Sequence, residues 1–176
     1  MAFSHPYGAY SVEGTLNKWF QTNLTAQGVP AWMPSAQVRF DWPERPLFSG
    51  YSGHVFTVTH LGAPEVMTEY QGRHTVGGSA GTTMTNLMEV DCWVNKAQAG
   101  EKYPQRLRQM GDMVTRLFGS TVNVQLTNIY TGTGIPTAIG ALIRVRPAQG
   151  QVVAPDPNPD IMRRRFVASY FWLERA

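Results

Sequence analysis

The segment Ile161–Arg175 constrains the fold of this chain more than any other feature of its sequence. Its side chains alternate as they do in a β-strand, where successive residues point to opposite faces. One face carries Phe166, Ala168, Tyr170 and Trp172, and the other carries Val167, Phe171 and Leu173. Two apolar faces are typical of a strand at the centre of a sheet, or of a sheet edge that another subunit covers. The sequence therefore predicts a sheet built around this segment.

The first part of the chain predicts an amphipathic helix. Ser11 is placed to cap it, because a serine hydroxyl can accept the unpaired amide groups of a first helical turn. The apolar stripe recurs every four residues and consists of Val12, Leu16, Phe20 and Leu24. Gly28 and Pro30 are expected to end the helix.

A second amphipathic helix is predicted over residues 104–118. Pro104 suits the first helical turn. The inward stripe consists of Leu107, Met110, Val114 and Leu117. Gly119 follows at the position where a left-handed cap is expected.

Alternating patterns predict the remaining strands over residues 37–42, 51–61, 84–95, 121–130 and 138–146. The Gly-rich residues 62–83 predict a long flexible loop or hairpin excursion, and the Pro-rich residues 147–160 predict a loop. This order favours a single α+β domain over residues 1–176, with a mostly antiparallel sheet of about five to six strands and two helices packed against it.

The chain carries few charges for its length. Of 176 residues, 15 are Lys or Arg and 12 are Asp or Glu, which gives a net charge of +3. A lightly charged exterior is more typical of a subunit that covers its faces with neighbours than of a free monomer. No apolar run approaches the length of a membrane span, no secretory signal is visible, and the single Cys92 suits a reducing cytosol.

The sequence Gly-Gly-Ser-Ala-Gly at 77–81 matches the pattern of a hydrolase nucleophile elbow, with Ser79 as the nucleophile. Such an elbow joins a strand to a helix, and no helical pattern follows Ser79. All the histidines precede it in the chain, unlike the usual order. A Ser79-dependent hydrolase is therefore a disfavoured alternative, and no catalytic residue is assigned.

No metal or cofactor site is predicted. His54 and His60 share one strand face but lie about 20 Å apart, too far to bind one ion, and no metal-ligand motif accompanies them. The glycines near residue 132 lack the rest of a dinucleotide or phosphate loop. Glu89 and Asp91 share a strand face, which predicts a solvated pair of carboxylates in preference to a glycosidase pair.

Arginine provides the only concentrated charge. The cluster consists of Arg144, Arg146, Arg163, Arg164 and Arg165. If the last two strands pair, as consecutive strands usually do, the five arginines are expected to gather at one end of the sheet, with Arg164 on the opposite face from its two neighbours. Phosphate contact, pairing with acidic residues of a neighbouring subunit and simple solvation all remain open.

Several of these features together resemble a tail terminator protein of a long-tailed, siphovirus-like bacteriophage. The resemblance rests on the first helix, the sequence Arg-Phe-Asp-Trp-Pro-Glu-Arg-Pro at 39–46, the Gly-rich middle, the helix 104–118 and the basic-then-aromatic strand 163–175. It implies a non-enzymatic virion protein that forms a ring, expected to be a hexamer, which caps the tail tube and stops its elongation.

The resemblance also implies partners. They are other copies of the chain, the tail tube protein, a neck or head completion protein and the genomic DNA that passes through the channel, without any membrane. The arginine cluster is then a candidate for the DNA-facing channel or for a seam between subunits. Assembly is expected in the host cytoplasm, and the final location is the tail–neck region of the virion. Another neck or head–tail connector subunit is the alternative.

Overall fold

The computed structural model describes residues 8–33, 35–40, 53–66, 74–76, 79–128, 133–134, 142–151 and 160–175. The helices are α1 (Ala9–Ala26), α2 (Lys96–Ala99) and α3 (Tyr103–Phe118), with a 3-10 turn at Gly100–Lys102. The strands are β1 (Val38–Arg39), β2 (His54–Val66), β3 (His74–Val76), β4 (Ser79–Asn95), β5 (Val122–Gln125), β6 (Thr127–Asn128), β7 (Thr133–Gly134), β8 (Leu142–Val145), β9 (Gln149–Gln151) and β10 (Ile161–Arg175).

One large sheet organises the fold, in the strand order β1-β2-β4-β10-β8-β5. β3 also pairs with β4, β9 also pairs with β10, and β6 and β7 form a separate small sheet. β1 runs parallel to β2, and the other pairings are antiparallel. The predicted α+β class and the mostly antiparallel sheet are confirmed.

Strand β10 occupies the centre of this sheet, which is one of the two positions that its apolar faces predict. It pairs with β4 from Ile161↔Asn95 to Arg175↔Gly81, and on its other side it pairs with β8 and β9. A strand that is hydrogen-bonded on both sides has no free edge, so only its two faces remain for contact with other parts of the molecule or with solvent.

Both long helices pack on the same side of the sheet. The predicted stripe of α1 is fully buried, and the Phe20 ring stacks on Phe118 of α3 with centroids 5.9 Å apart. From α3, Met110 and Val114 are also fully buried. Burial of each such side chain contributes about 1.5–3 kcal/mol, so this helix–sheet contact is the main stabilising layer of the domain.

Two predicted helix caps are wrong. The N-cap of α1 is Gly8, and Ser11 lies inside the first turn, where it is buried. Gly119 has a right-handed φ of −70° in place of the expected left-handed cap. In both cases tertiary packing determines the conformation at the helix end, because its contribution outweighs the modest free energy of a cap.

Strand pairing extends into the Gly-rich segment 62–83. β2 continues to Val66 across an irregular register between Leu61 and Glu65, where Gly62 has a φ of +75°. β4 begins at Ser79, earlier than the predicted residue 84, and β3 forms a hairpin with it. Residues 67–73 and 77–78 lie outside the described part of the chain. The described residues of this segment are strands, and the pairing of β3 with β4 corresponds to the hairpin alternative of the prediction.

The other predicted strands are shorter than their patterns. The strand expected at 37–42 is Val38–Arg39, and the one expected at 138–146 is Leu142–Val145, with residues 41–50 and 135–141 outside the description. The Pro-rich segment 147–160 contains the short strand β9, and its residues 152–159 are likewise outside. Among the helices described, none combines the length and the apolar character that a bilayer crossing demands.

Candidate functional site

The face of the large sheet that lies opposite α1 and α3 is the candidate functional site, and we call it the open face. The helix-covered core contains Phe56, Val90 and Phe166, which are even-numbered on their strands. Alternation therefore assigns the odd-numbered residues of β2, β4 and β10 to the open face. Register assigns the even-numbered residues of β8 to the same face, because Arg144 is paired with Phe171.

Two buried carboxylates and two half-buried guanidinium groups form an ionic cluster on the open face. Nη2 of Arg163 donates to Oε1 of Glu89 at 2.8 Å and to Oδ2 of Asp91 at 2.6 Å. Nη2 of Arg165 lies 3.0 Å from Oε1 of Glu89. The side chains of Glu89 and Asp91 are only 5 % and 1 % exposed. The predicted solvated pair of carboxylates is therefore wrong, because the arginines of β10 cover it.

Burial and the neighbouring carboxylate change the ionisation of Glu89. Loss of solvent, together with a hydrogen bond and charge repulsion from Asp91, raises the pKa of Glu89 to about 7, although the Arg163 guanidinium opposes this shift. The two carboxylates accept hydrogen bonds and ion pairs from within the cluster and lie beneath the arginines. This arrangement holds β4 to β10 and does not present an acid–base pair to a substrate.

An apolar cluster adjoins the ionic one on the open face. Val55, Trp93 and Ile161 are buried together. The Arg163 guanidinium lies 4.6 Å from the Trp93 ring centroid, and Trp93 Nε1 donates to Thr57 Oγ1 at 2.9 Å. Such a contact between a cation and an aromatic ring contributes about 0.5–2 kcal/mol. It fixes the side chain that bridges the two carboxylates.

The five arginines do not gather at one end of the sheet. The predicted pairing of β8 with β10 is present, but Arg144 faces Phe171, six residues beyond Arg165. At about 3.4 Å per residue this separates the two groups by about 20 Å. The expectation failed because β8 pairs near the far end of the long β10, and β9 takes the position opposite Arg165.

Arg164 lies on the helix-covered side, as alternation predicts. Its guanidinium carbon is 5.2 Å from the Phe166 ring centroid. It also reaches Gly111 of α3, where an added Cβ would stand 2.6 Å from Nη1 of Arg164. Glycine at position 111 thus makes room for an arginine between helix and sheet.

Apolar side chains are also exposed on the open face. Leu87 of β4 is 42 % exposed and Leu142 of β8 is 41 % exposed. Val167, Phe171 and Leu173 are half-buried on the same face. The sequence analysis did not identify Leu87 or Leu142. Leu87 has the same strand parity as Glu89, and Leu142 has the same strand parity as Arg144. This alternation was the signal that could have placed both leucines on the open face.

The histidines of β2 are hydrogen-bonded parts of the structure. Nδ1 and Nε2 of His60 lie 3.0 Å from Tyr170 Oη and 2.9 Å from Asn17 Oδ1, and burial lowers the pKa of His60 to about 4. His54 is buried, with its ring edge-on to Trp32. Within the described residues, no group of His, Cys, Asp and Glu could hold a metal ion.

The backbone at Ser79 differs from a nucleophile elbow. Ser79 pairs with Val76 and opens β4, a continuous strand that runs to Asn95. An elbow needs a sharp turn from a strand into a helix, with the serine at the turn. The local structure therefore gives no support to the disfavoured hydrolase reading.

Comparison with known proteins bears on the fold alone. No family model and no curated protein matches the chain. A solved structure that bears no functional name is similar to it, with a TM-score of 0.50 and 10 % sequence identity over 94 % of this chain and 95 % of the other. A similar overall fold thus occurs in a chain of distant sequence.

Proposed function

We propose that the protein is a structural virion subunit that forms a ring on the end of a phage tail tube. The open face is the observation that carries this proposal. It presents Leu87 and Leu142, which are exposed, and Val167, which is half-buried, on the side of the sheet away from both long helices. Exposed apolar side chains on a broad sheet face are typical of a surface that binds another protein.

A ring accounts for the low charge of the chain together with that face. Each subunit of a ring meets two neighbours through different surfaces, and the contact closes on itself. A chain with a net charge of +3 over 176 residues has weak self-repulsion, which suits close packing of identical copies. The number of subunits, proposed as six, follows from the resemblance to tail terminator proteins.

The proposed partners are the tail tube protein on one side of the ring and a neck or head completion protein on the other. Genomic DNA passes through the central channel, and the protein belongs to the tail–neck region of the virion. In this proposal the chain stops elongation of the tube by occupying its last ring. It assigns no catalytic residue, metal or cofactor.

Self-association measured by analytical ultracentrifugation tests the proposal. The wild-type protein is expected to form ring-sized particles as its concentration rises, and Leu87→Asp is expected to shift it towards the monomer. Tyr10→Asp is the matched control, because Tyr10 is 69 % exposed on α1, away from the open face. A wild-type protein that stays monomeric and leaves purified tail tubes uncapped in electron micrographs would contradict the proposal.

A further inference from the structure

Two arginines at one end of the open face lie beside a single aromatic ring. The guanidinium carbons of Arg144 and Arg146 are each 5.5 Å from the Phe171 ring centroid. Both arginines are exposed, and Phe171 is half-buried. The ring therefore restricts the two long side chains while their hydrogen-bond donors stay in solvent.

These two arginines differ from Arg163 and Arg165 in their charge balance. Arg163 and Arg165 both make ion-pair contacts with Glu89 and Asp91. Within the residues that the structure describes, neither Arg144 nor Arg146 makes an ion pair. The surrounding open-face positions of β5, β8, β10 and β4 are uncharged, namely Asn123, Gln125, Leu142, Ser169, Leu173 and Thr85. The pair is thus a local excess of positive charge.

We propose that Arg144, Arg146 and Phe171 form a phosphate-binding site for a nucleic-acid strand. Guanidinium groups bind phosphate through paired hydrogen bonds. Arg144 lies in β8, and Arg146 lies one residue beyond its end, where its backbone N–H donates to Ser169 O of β10 at 2.8 Å. Two residues of extended chain space their Cα atoms by about 7 Å, which lets them contact separate phosphates. The inference rests on the proposed function for its biological partner, the DNA in the channel, and it names the residues that contact that DNA.

Charge favours nucleic acid over a second copy of this chain as the occupant. A copy carries a net charge of +3, and the exposed acidic residues of the described part are scattered over different elements, at Glu65, Glu101, Asp112 and Asp160. A phosphate backbone supplies closely spaced negative charges along its whole length. Asn123, exposed on β5 opposite Arg144, adds a neutral donor beside the pair.

Fluorescence anisotropy with labelled single-stranded and duplex DNA of one sequence, over a series of salt concentrations, tests the site. The variant Arg144→Ala/Arg146→Ala is expected to bind at least tenfold more weakly than wild type. Loss of two phosphate contacts should reduce the slope of log affinity against log salt by about 1.4 for single strands and about 1.8 for duplex. The matched control is Arg108→Ala/Arg116→Ala, which removes the same charge from exposed positions on α3.

The outcomes separate this inference from the proposed ring. Loss of DNA binding in the Arg144/Arg146 variant, with self-association intact, supports the site. Equal weakening in the control variant overturns the site, because net charge alone then explains the binding. A wild-type protein that does not bind DNA even at low salt also overturns it. If the Arg144/Arg146 variant loses self-association, the pair belongs to a seam between copies and the nucleic-acid site is wrong. Absence of self-association in the wild-type protein contradicts the proposed ring, and it leaves the measurement of DNA binding valid.

Discussion

Glu89, which is buried, and His60, which is half-buried on the opposite side of the sheet, are expected to give this protein opposing pH dependences that cancel. Burial lowers the pKa of His60 from 6.5 to about 4. Burial and Asp91 raise the pKa of Glu89 from 4.5 to about 7. Both shifts affect the free energy of unfolding within the same interval of pH, but with opposite sign.

The sign follows from which state binds more protons. Below pH 6.5 the unfolded chain protonates His60 while the folded chain does not, so this group makes stability fall as the pH falls. Above pH 4.5 the unfolded chain loses the proton of Glu89 while the folded chain keeps it, so that group makes stability fall as the pH rises. One pKa unit corresponds to about 1.4 kcal/mol, and each group contributes a change of about 2 kcal/mol across the shared interval.

Single substitutions are expected to reveal each contribution. Between pH 4.5 and 6.5, Glu89→Gln should gain about 2 kcal/mol of stability relative to wild type, because the variant lacks the unfavourable deprotonation. As the pH rises over that interval, His60→Gln should lose about the same amount of stability relative to wild type, because the variant lacks the gain that the neutral His60 gives the folded state. The double variant should again parallel wild type, since the two groups face opposite sides of the sheet and do not share partners.

Urea unfolding followed by circular dichroism, at one protein concentration and several pH values, measures these differences. A fixed concentration is needed because self-association would add its own stabilisation. Glu101→Gln is the control for loss of a carboxylate, since Glu101 is exposed on the 3-10 turn. A stability difference between Glu89→Gln and wild type that does not vary with pH would refute this account of the ionic cluster.

Three further outcomes are expected. Arg163→Met should cost about 3–5 kcal/mol in urea unfolding at neutral pH, because it leaves Asp91, 1 % exposed, without its closest cation, and a loss below 1 kcal/mol would contradict the buried pair. Phe20→Ala should cost about 3–5 kcal/mol, because it leaves a cavity beside Phe118, and a well-tolerated change would show that the helix–sheet layer is not tightly packed. Burial raises the pKa of the Cys92 thiol, so Ellman's reagent should modify Cys92 only in denaturant, and rapid labelling of the native protein would be inconsistent with full burial.

Local periodicity predicted the elements that depend on local pattern. The α1 stripe, the α3 helix and the central position of β10 all follow from the spacing of apolar side chains, and the structure confirms them. The ends of the strands were less predictable. Ser79 lies in a strand because Val76 of β3 pairs with it, and Gly62 lies in β2 at an irregularity between residues that pair with β4. Such pairing outweighs a low local propensity for β-structure.

The chemistry of the open face could not be predicted in the same way. Glu89 and Arg163 are 74 positions apart in sequence, so nothing local indicates that one covers the other. The position of Arg144 depended on where the short β8 pairs along the longer β10, and alternation defines a face but not a register. The sequence predicted only which face of its strand each residue occupies. That prediction correctly placed Arg164 on the opposite face from Arg163 and Arg165.

The contact between Gly111 and Arg164 links two positions that an alignment would otherwise treat as independent. A methyl group at 111 would stand 2.6 Å from Nη1 and 3.0 Å from Cδ of Arg164, so a larger residue there requires either that the arginine side chain moves away or that a shorter residue replaces it. Among natural variants of this chain, the two positions should therefore change together: glycine with a long basic partner, or a bulkier helix residue with a small one. Such paired exchange would let α3 keep its distance from the sheet while its sequence drifts.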